Sequence, residues 1–181
     1  EKISRENTIK IKFKINVGFF VIMKKILNKN WVPQNSLEEK IKHFLIPNKL
    51  YIRRLVFKEW IKGRKDIRIL KYLINRDKNS IDVGAYKGVY TFFLSKYSKK
   101  VYAYEPNPKS YSFLKKSVNK NVHVYPYAIS NKTGISFLNI PKGRKGYSNQ
   151  GGSIRNVKLD KEYKKLKVIT KKIDDLSLKN I

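Results

Sequence analysis

The stretch Ser80-Ile-Asp-Val-Gly-Ala-Tyr-Lys-Gly-Val-Tyr-Thr91 decides the reading of the chain, together with Val101-Tyr-Ala-Tyr-Glu-Pro-Asn-Pro108 a little downstream. A short apolar run, Ile81 and Val83, breaks at Gly84 and Gly88 into a segment with helical spacing. That is how a buried parallel strand turns into a helix under a nucleotide. Glycine permits the tight turn and lets a ligand approach backbone that a Cβ would shield. The second strand ends in Glu105, 23 positions after Asp82, and an acidic residue about 20 residues beyond such a turn is where ribose hydroxyls are gripped. The pattern predicts a site for an adenosine-bearing cofactor. A nicotinamide-binding turn would be spaced G-x-G-x-x-G, whereas this one reads Gly84-Ala-Tyr-Lys-Gly88 with Asp82 two residues ahead.

Working outward, 181 residues with 41% hydrophobic and 13% aromatic content are enough for one globular domain and argue against disorder. There is no cysteine, so neither a disulfide framework nor a thiolate metal site is available, and two histidines, His43 and His123, exclude a histidine-rich metal site. The formal charge of +29 raises the question of an anionic partner such as nucleic acid or a membrane surface. Lysines are scattered in pairs such as Lys24-Lys25, Lys99-Lys100 and Lys171-Lys172 rather than gathered in one tail, which reads as a solvated face; specific nucleic-acid recognition is not expected.

Taken in order, the only methionine is Met23, and Met23-Lys-Lys-Ile is expected as the natural start. Ile15 to Met23 is far short of the ~20 apolar residues of a membrane span and lacks a small-residue cleavage site; it reads as a strand or as untranslated sequence, and the protein as cytoplasmic. Ser36-Leu-Glu-Glu39 has the form of a capping box and predicts a helix ended by Pro47. Leu50 to Trp60 lacks a clean period and reads only weakly as helix before Gly63 breaks it. Asp66 is expected to cap a helix through Asn75. Gly88 to Lys96 reads as helix, Val101 to Tyr104 as the second strand, and Asn107 and Pro108 as N-cap and first position of a helix. Val122 to Tyr127 reads as the third strand, ending at Ala128-Ile-Ser130. Asn131 to Gly134 reads as a turn, Ile135 to Ile140 as a further strand, Pro141 to Gly152 as a mobile loop and Leu166 to Thr170 as the last strand. Ile173-Asp-Asp-Leu176 is expected to begin a helix with Asp174 as cap.

Four motifs in order carry a resemblance: Asp82-Val-Gly-Ala-x-x-Gly88, Tyr104-Glu-Pro-Asn-Pro108, Tyr125-Pro-Tyr-Ala-Ile-Ser130 and Ile173-Asp-Asp-Leu176. From about Arg64 to Leu176 the chain resembles the FkbM-type S-adenosylmethionine-dependent methyltransferases. The resemblance implies an α/β, Rossmann-like class I methyltransferase fold with N-terminal helices. The expected division is a mainly helical extension at 1–63 and a partial methyltransferase domain at 64–181. Family members continue with a strand resembling Ile-Lys-Ile-Asp-Val-Glu-Gly, so the fold is expected to be incomplete at the C-terminus. The Ile81-Asp82-Val83 strand is then an exposed apolar edge and the fragment of marginal stability or prone to aggregation.

The implied cofactor is S-adenosyl-L-methionine, bound by Asp82, Gly84, Ala85, Tyr86, Gly88, Glu105, Pro106, Asn107 and Ala128. The backbone of Gly84 to Gly88 is expected at its amino-acid part. Asp82 either orients that loop or bonds the methionyl ammonium, directly or through water. Glu105 accepts from both ribose hydroxyls, its alternative being an exposed turn acid, and Asn107 either lines the adenine pocket or serves as a cap. Tyr86 stands where asparagine is common in the family. His123, inside an alternating strand, is more readily structural than a base, and no catalytic residue is assigned. Asp174 and Asp175 match the family motif but are explained by capping.

Methyl transfer from a sulfonium needs alignment and exclusion of water, not a covalent intermediate. By the resemblance, the expected reaction is O-methylation of a small-molecule or sugar hydroxyl, with no metal-ligating residue assigned. The alternatives are a nucleic-acid methyltransferase, for which no Asn-Pro-Pro-Tyr type element is present, and a truncated non-catalytic basic domain binding anionic partners.

Overall fold

The computed structural model describes residues 31–33, 35–62, 65–143, 146–147, 152–154, 162–176 and 178–181. The chain divides into two units, Glu1–Val32 and Pro33–Ile181, and the following concerns the second. The expectations for Ile15 to Met23 and for Gly63 lie outside the described residues.

A parallel sheet of three strands carries the fold: β1 (Ser80–Val83), β2 (Val101–Tyr104) and β3 (Val122–Tyr125), in that spatial order. Alternation along β2 explains its two faces. Val101 and Ala103 are fully buried with Leu114 and Val122 beneath two helices, α4 (Val89–Tyr97) and α5 (Pro108–Ser117), while Tyr102 and Tyr104 point to the other side. The α5 start is as expected: Pro108 opens the helix and the Asn107 side chain accepts from the Lys109 amide at 3.0 Å. Among the described residues β1 pairs only with β2, and Val83 is 54% exposed, so β1 is the expected apolar edge.

Among the described residues, three helices precede the sheet: α1 (Leu37–Leu45), α2 (Asn48–Ile61) and α3 (Lys65–Leu73). The capping box of α1 is complete, the Glu39 amide bonding the Ser36 hydroxyl and the Ser36 amide the Glu39 carboxylate. The same carboxylate accepts from Lys109 Nζ at 2.7 Å, which ties α1 to the first turn of α5. Ile52 and Val56 of α2, Ile67 of α3 and Phe93 of α4 form a second core, with Trp60 stacked on Phe93 at 6.0 Å. Asp66 does not cap α3. It lies in the first turn and accepts from the Tyr90 hydroxyl, and the helix ends at Leu73, short of Asn75.

The expected third strand is two strands. Pro126 has no N–H to give to a ladder; β3 stops at Tyr125, and β4 (Tyr127–Ile129) joins a second sheet ordered β4-β7-β5-β6. There β7 (Tyr163–Lys171) runs parallel to β4 and antiparallel to β5 (Gly134–Gly143). The stretch expected to be a loop from Pro141 is strand as far as Gly143, which turns back to pair with β6 (Gly146–Tyr147). Ile173 to Leu176 is a turn rather than a helix, closed by the Leu176 amide on the Ile173 carbonyl at 3.1 Å, and Asp175 is engaged by the Thr133 hydroxyl instead of a helix end. Beyond it, the Asn180 and Lys179 carbonyls accept from the Asn79 amide and side chain at 2.7 and 2.6 Å, beside the start of β1.

Candidate active site

The loop after β1 is wound tightly by its own amides. Gly84 has φ +75°, and the Gly84 and Ala85 amides both donate to the Tyr104 carbonyl, at 2.9 and 3.1 Å. Tyr86 follows with φ +50°, a left-handed conformation that costs most side chains energy and asparagine little. The Tyr86 amide donates to Glu105 Oε2 at 2.7 Å, and the Gly88 amide returns to the Ala85 carbonyl at 2.7 Å.

Gly88 is required by packing. With φ +82°, a Cβ there would stand 2.3 Å from Leu114 Cδ1 and 3.2 Å from Ile52 Cδ1, so the glycine lets α4 begin against α5 and α2. At Gly84 a Cβ would meet nothing within 4 Å, and only the backbone conformation calls for glycine. The expected need of a tight turn is met at both glycines, and at Gly88 helix packing is a further reason.

The two acids hold this turn from below. Glu105 is 6% exposed, which excludes an exposed turn acid, and its other oxygen, Oε1, accepts from the Asn107 amide at 2.9 Å. Burial pushes its carboxyl above the usual range, against the two backbone bonds, and the Asp82 charge adds to the rise. Asp82 accepts from the hydroxyl of Thr91 in the first turn of α4. Gly88 offers α4 no side-chain cap, so a carboxylate from the neighbouring strand does that work. Burial raises the Asp82 carboxyl as well, opposed by its bonds from Thr91.

A cleft of about 1100 Å³ opens beyond the carboxyl ends of β1 and β4. Val83, Gly84, Pro106 and Ala128 line it on one side, and Ile129 to Ser136 with Leu138, Gly152 to Ile154 and Thr170 on the other. Of the sequence-nominated residues, Gly84, Pro106 and Ala128 thus meet at one opening. Asp82, Ala85, Tyr86, Gly88, Glu105 and Asn107 do not line it; Glu105 bonds the Tyr86 and Asn107 amides of the neighbouring turns, and Asp82 bonds Thr91 of α4.

Beside the cleft, Tyr104, Tyr125 and Tyr127 stack in sequence, with ring centroids 5.3 and 6.1 Å apart. Burial, with the neighbouring tyrosines, pushes the Tyr104 hydroxyl up to about 12. His123 is exposed on β3 and stacks on Tyr102 at 5.7 Å. Among the described residues no group of histidine and carboxylates could hold a metal ion.

A model of the methyltransferase FkbM domain matches residues 82–181, from Asp82 in β1 onward. The chain belongs to the FkbM methyltransferase family. No curated protein matches the chain. Among solved structures, the precorrin 8w decarboxylase of Methanobacterium thermoautotrophicum is similar at 14% identity and a TM-score of 0.31, over 57% of this chain and 86% of that one. A proposed S-adenosylmethionine-dependent methyltransferase of Listeria monocytogenes is similar at 12% identity and a TM-score of 0.30, over 65% of this chain and 78% of that one.

Within the FkbM domain, sequence reasoning missed Thr91 and the tyrosine stack. The signal for Thr91 is a hydroxyl at the third position of a helix whose N-cap is glycine, nine residues after a strand-end acid. The stack is legible as aromatic residues at matching register, Tyr104 opposite Tyr125, once the β2–β3 pairing is known. No described helix is long and apolar enough to cross a membrane.

Proposed function

We propose that the chain binds S-adenosyl-L-methionine and serves O-methylation of a small-molecule or sugar hydroxyl. The observation that carries this reading is the convergence of Gly84, Pro106 and Ala128 on one cleft at the carboxyl ends of parallel strands, where open α/β sheets hold their ligands. Gly84, Pro106 and Ala128 at the cleft, with Glu105 bonding the neighbouring turns, fit the cofactor. Each Glu105 oxygen keeps acceptor capacity beyond the one amide it receives, enough for a pair of ribose hydroxyls. Open space at Gly84 admits the amino-acid part to the backbone. Asp82 acts through the loop and α4 rather than on the ammonium, Ala85 and Tyr86 shape the turn, and Asn107 caps α5 beside Pro106. The bound cofactor supplies a methyl group on a sulfonium. The chain's residues fix the cofactor's orientation and exclude water, and none of those described is assigned as the base. The methyltransferase domain is taken as residues 64–181, preceded by the helical extension.

Transfer of labelled methyl from S-adenosylmethionine tests the acceptor. A hydroxyl-bearing sugar or small molecule is expected to take label where oligonucleotides take none; label on oligonucleotides alone contradicts the reading.

A further inference from the structure

Helices α1, α2 and α3 turn apolar side chains to solvent. On α1, Leu37, Ile41, Phe44 and Leu45 fall at positions i, i+4, i+7 and i+8, one stripe of the helix, and Phe44 is 88% exposed. The stripe lies opposite Glu39, the residue that anchors α1 to Lys109, so the apolar side is the outer side. On α3, Ile69, Tyr72 and Leu73 form an exposed i, i+3, i+4 cluster, with Tyr72 77% exposed, opposite the buried Ile67. On α2, Leu50, Phe57 and Ile61 are exposed on the side away from the buried Ile52 and Val56. Because α2 and α3 both pack on α4, their outer faces look away from the sheet together.

Basic side chains border each stripe: Lys40 and Lys42 on α1, Arg53 and Arg54 between Leu50 and Phe57 on α2, and Lys65 and Arg68 on α3. Of the acids on these helices, Glu39 bonds Lys109, Asp66 takes the Tyr90 hydroxyl, Glu59 pairs with Lys62 and Glu38 pairs with Lys42 within the rim, where bases still outnumber acids. Leucine, isoleucine and phenylalanine rimmed by lysine and arginine suit a layer that is apolar within and anionic at its surface. A phosphate backbone has no use for Leu37, Phe44 or Leu45.

We propose that the outer faces of α1, α2 and α3 dock the protein on an anionic lipid bilayer, with Phe44, Phe57 and Tyr72 entering the interface and the basic rim meeting the headgroups. The described helices lie on the membrane, not across it.

Sedimentation of the full chain with sucrose-loaded vesicles tests this. Partition into phosphatidylcholine vesicles containing phosphatidylglycerol is expected, with little into phosphatidylcholine alone. The triple variant Phe44→Ser/Phe57→Ser/Tyr72→Ser keeps the net charge and is expected to partition about tenfold more weakly, with an unchanged thermal melt by circular dichroism. Equal partition of variant and parent would reduce the effect to bulk charge and overturn the proposal. So would a parent dimer that the variant converts to monomer, which would assign the face to a second copy, or an oligonucleotide that the variant binds as well as the parent and that displaces all vesicle binding.

Discussion

Thr91 in the first turn of α4 donates its hydroxyl to the carboxylate of Asp82 at the end of β1, joining the strand and helix that bracket the glycine loop. Thr91 is fully buried, and Asp82 has lost much of its contact with water. The bond therefore matters more by its absence than by its own strength. Thr91→Val leaves the carboxylate without its hydroxyl donor and is expected to cost about 1–3 kcal/mol in urea unfolding. Thr91→Ser, which keeps the donor, is expected to cost less; equal losses would show that packing of the methyl group dominates.

The two loop glycines separate by mechanism. Gly84→Ala meets open space and is expected to cost only the left-handed backbone, about 1–2 kcal/mol. Gly88→Ala adds a clash with Leu114 on top of the same strain, a further ~1–3 kcal/mol. Shortening Leu114 to Ala in the Gly88→Ala background should recover part of that second cost, as non-additivity in a double-mutant cycle. Full additivity would remove the contact from the account.

How much of this was legible in the sequence varies with what the residues decide locally. The turn after Val83, the Glu105 acid and the Asn107-Pro108 start of α5 were readable because each is a local requirement of glycine, proline or a capping side chain. The weak period of α2 has a physical cause: Leu50, Phe57 and Ile61 lie outside while Ile52 and Val56 lie inside, so apolar residues occur on both faces and blur the signal. The helix expected at Ile173 failed because Asp175 serves Thr133, a partner 42 positions away that no window contains. Val122 to Tyr127 kept its strand character but not its sheet, since Pro126 ends one ladder and only the tertiary fold says where the next begins.

The tyrosine stack predicts a response to alkali. Tyr104 is held neutral in the fold, its hydroxyl raised from 10.0 to about 12. The unfolded chain releases that proton first as pH rises, so stability is intact below pH 10 and falls between pH 10 and 12. Tyr104→Phe should flatten that decline in chemical unfolding curves measured at stepped pH, and an unchanged slope would place the titration elsewhere.

The central claim is that the turn gripped by Glu105 forms part of an adenosine-cofactor site. Isothermal titration of the full chain with S-adenosylhomocysteine tests it most directly, beside Glu105→Ala and a parallel titration with NADH. The account predicts micromolar binding of S-adenosylhomocysteine, lost in Glu105→Ala while that variant still unfolds cooperatively, and no comparable binding of NADH. Preference for NADH, or retention of full affinity in Glu105→Ala, would contradict it.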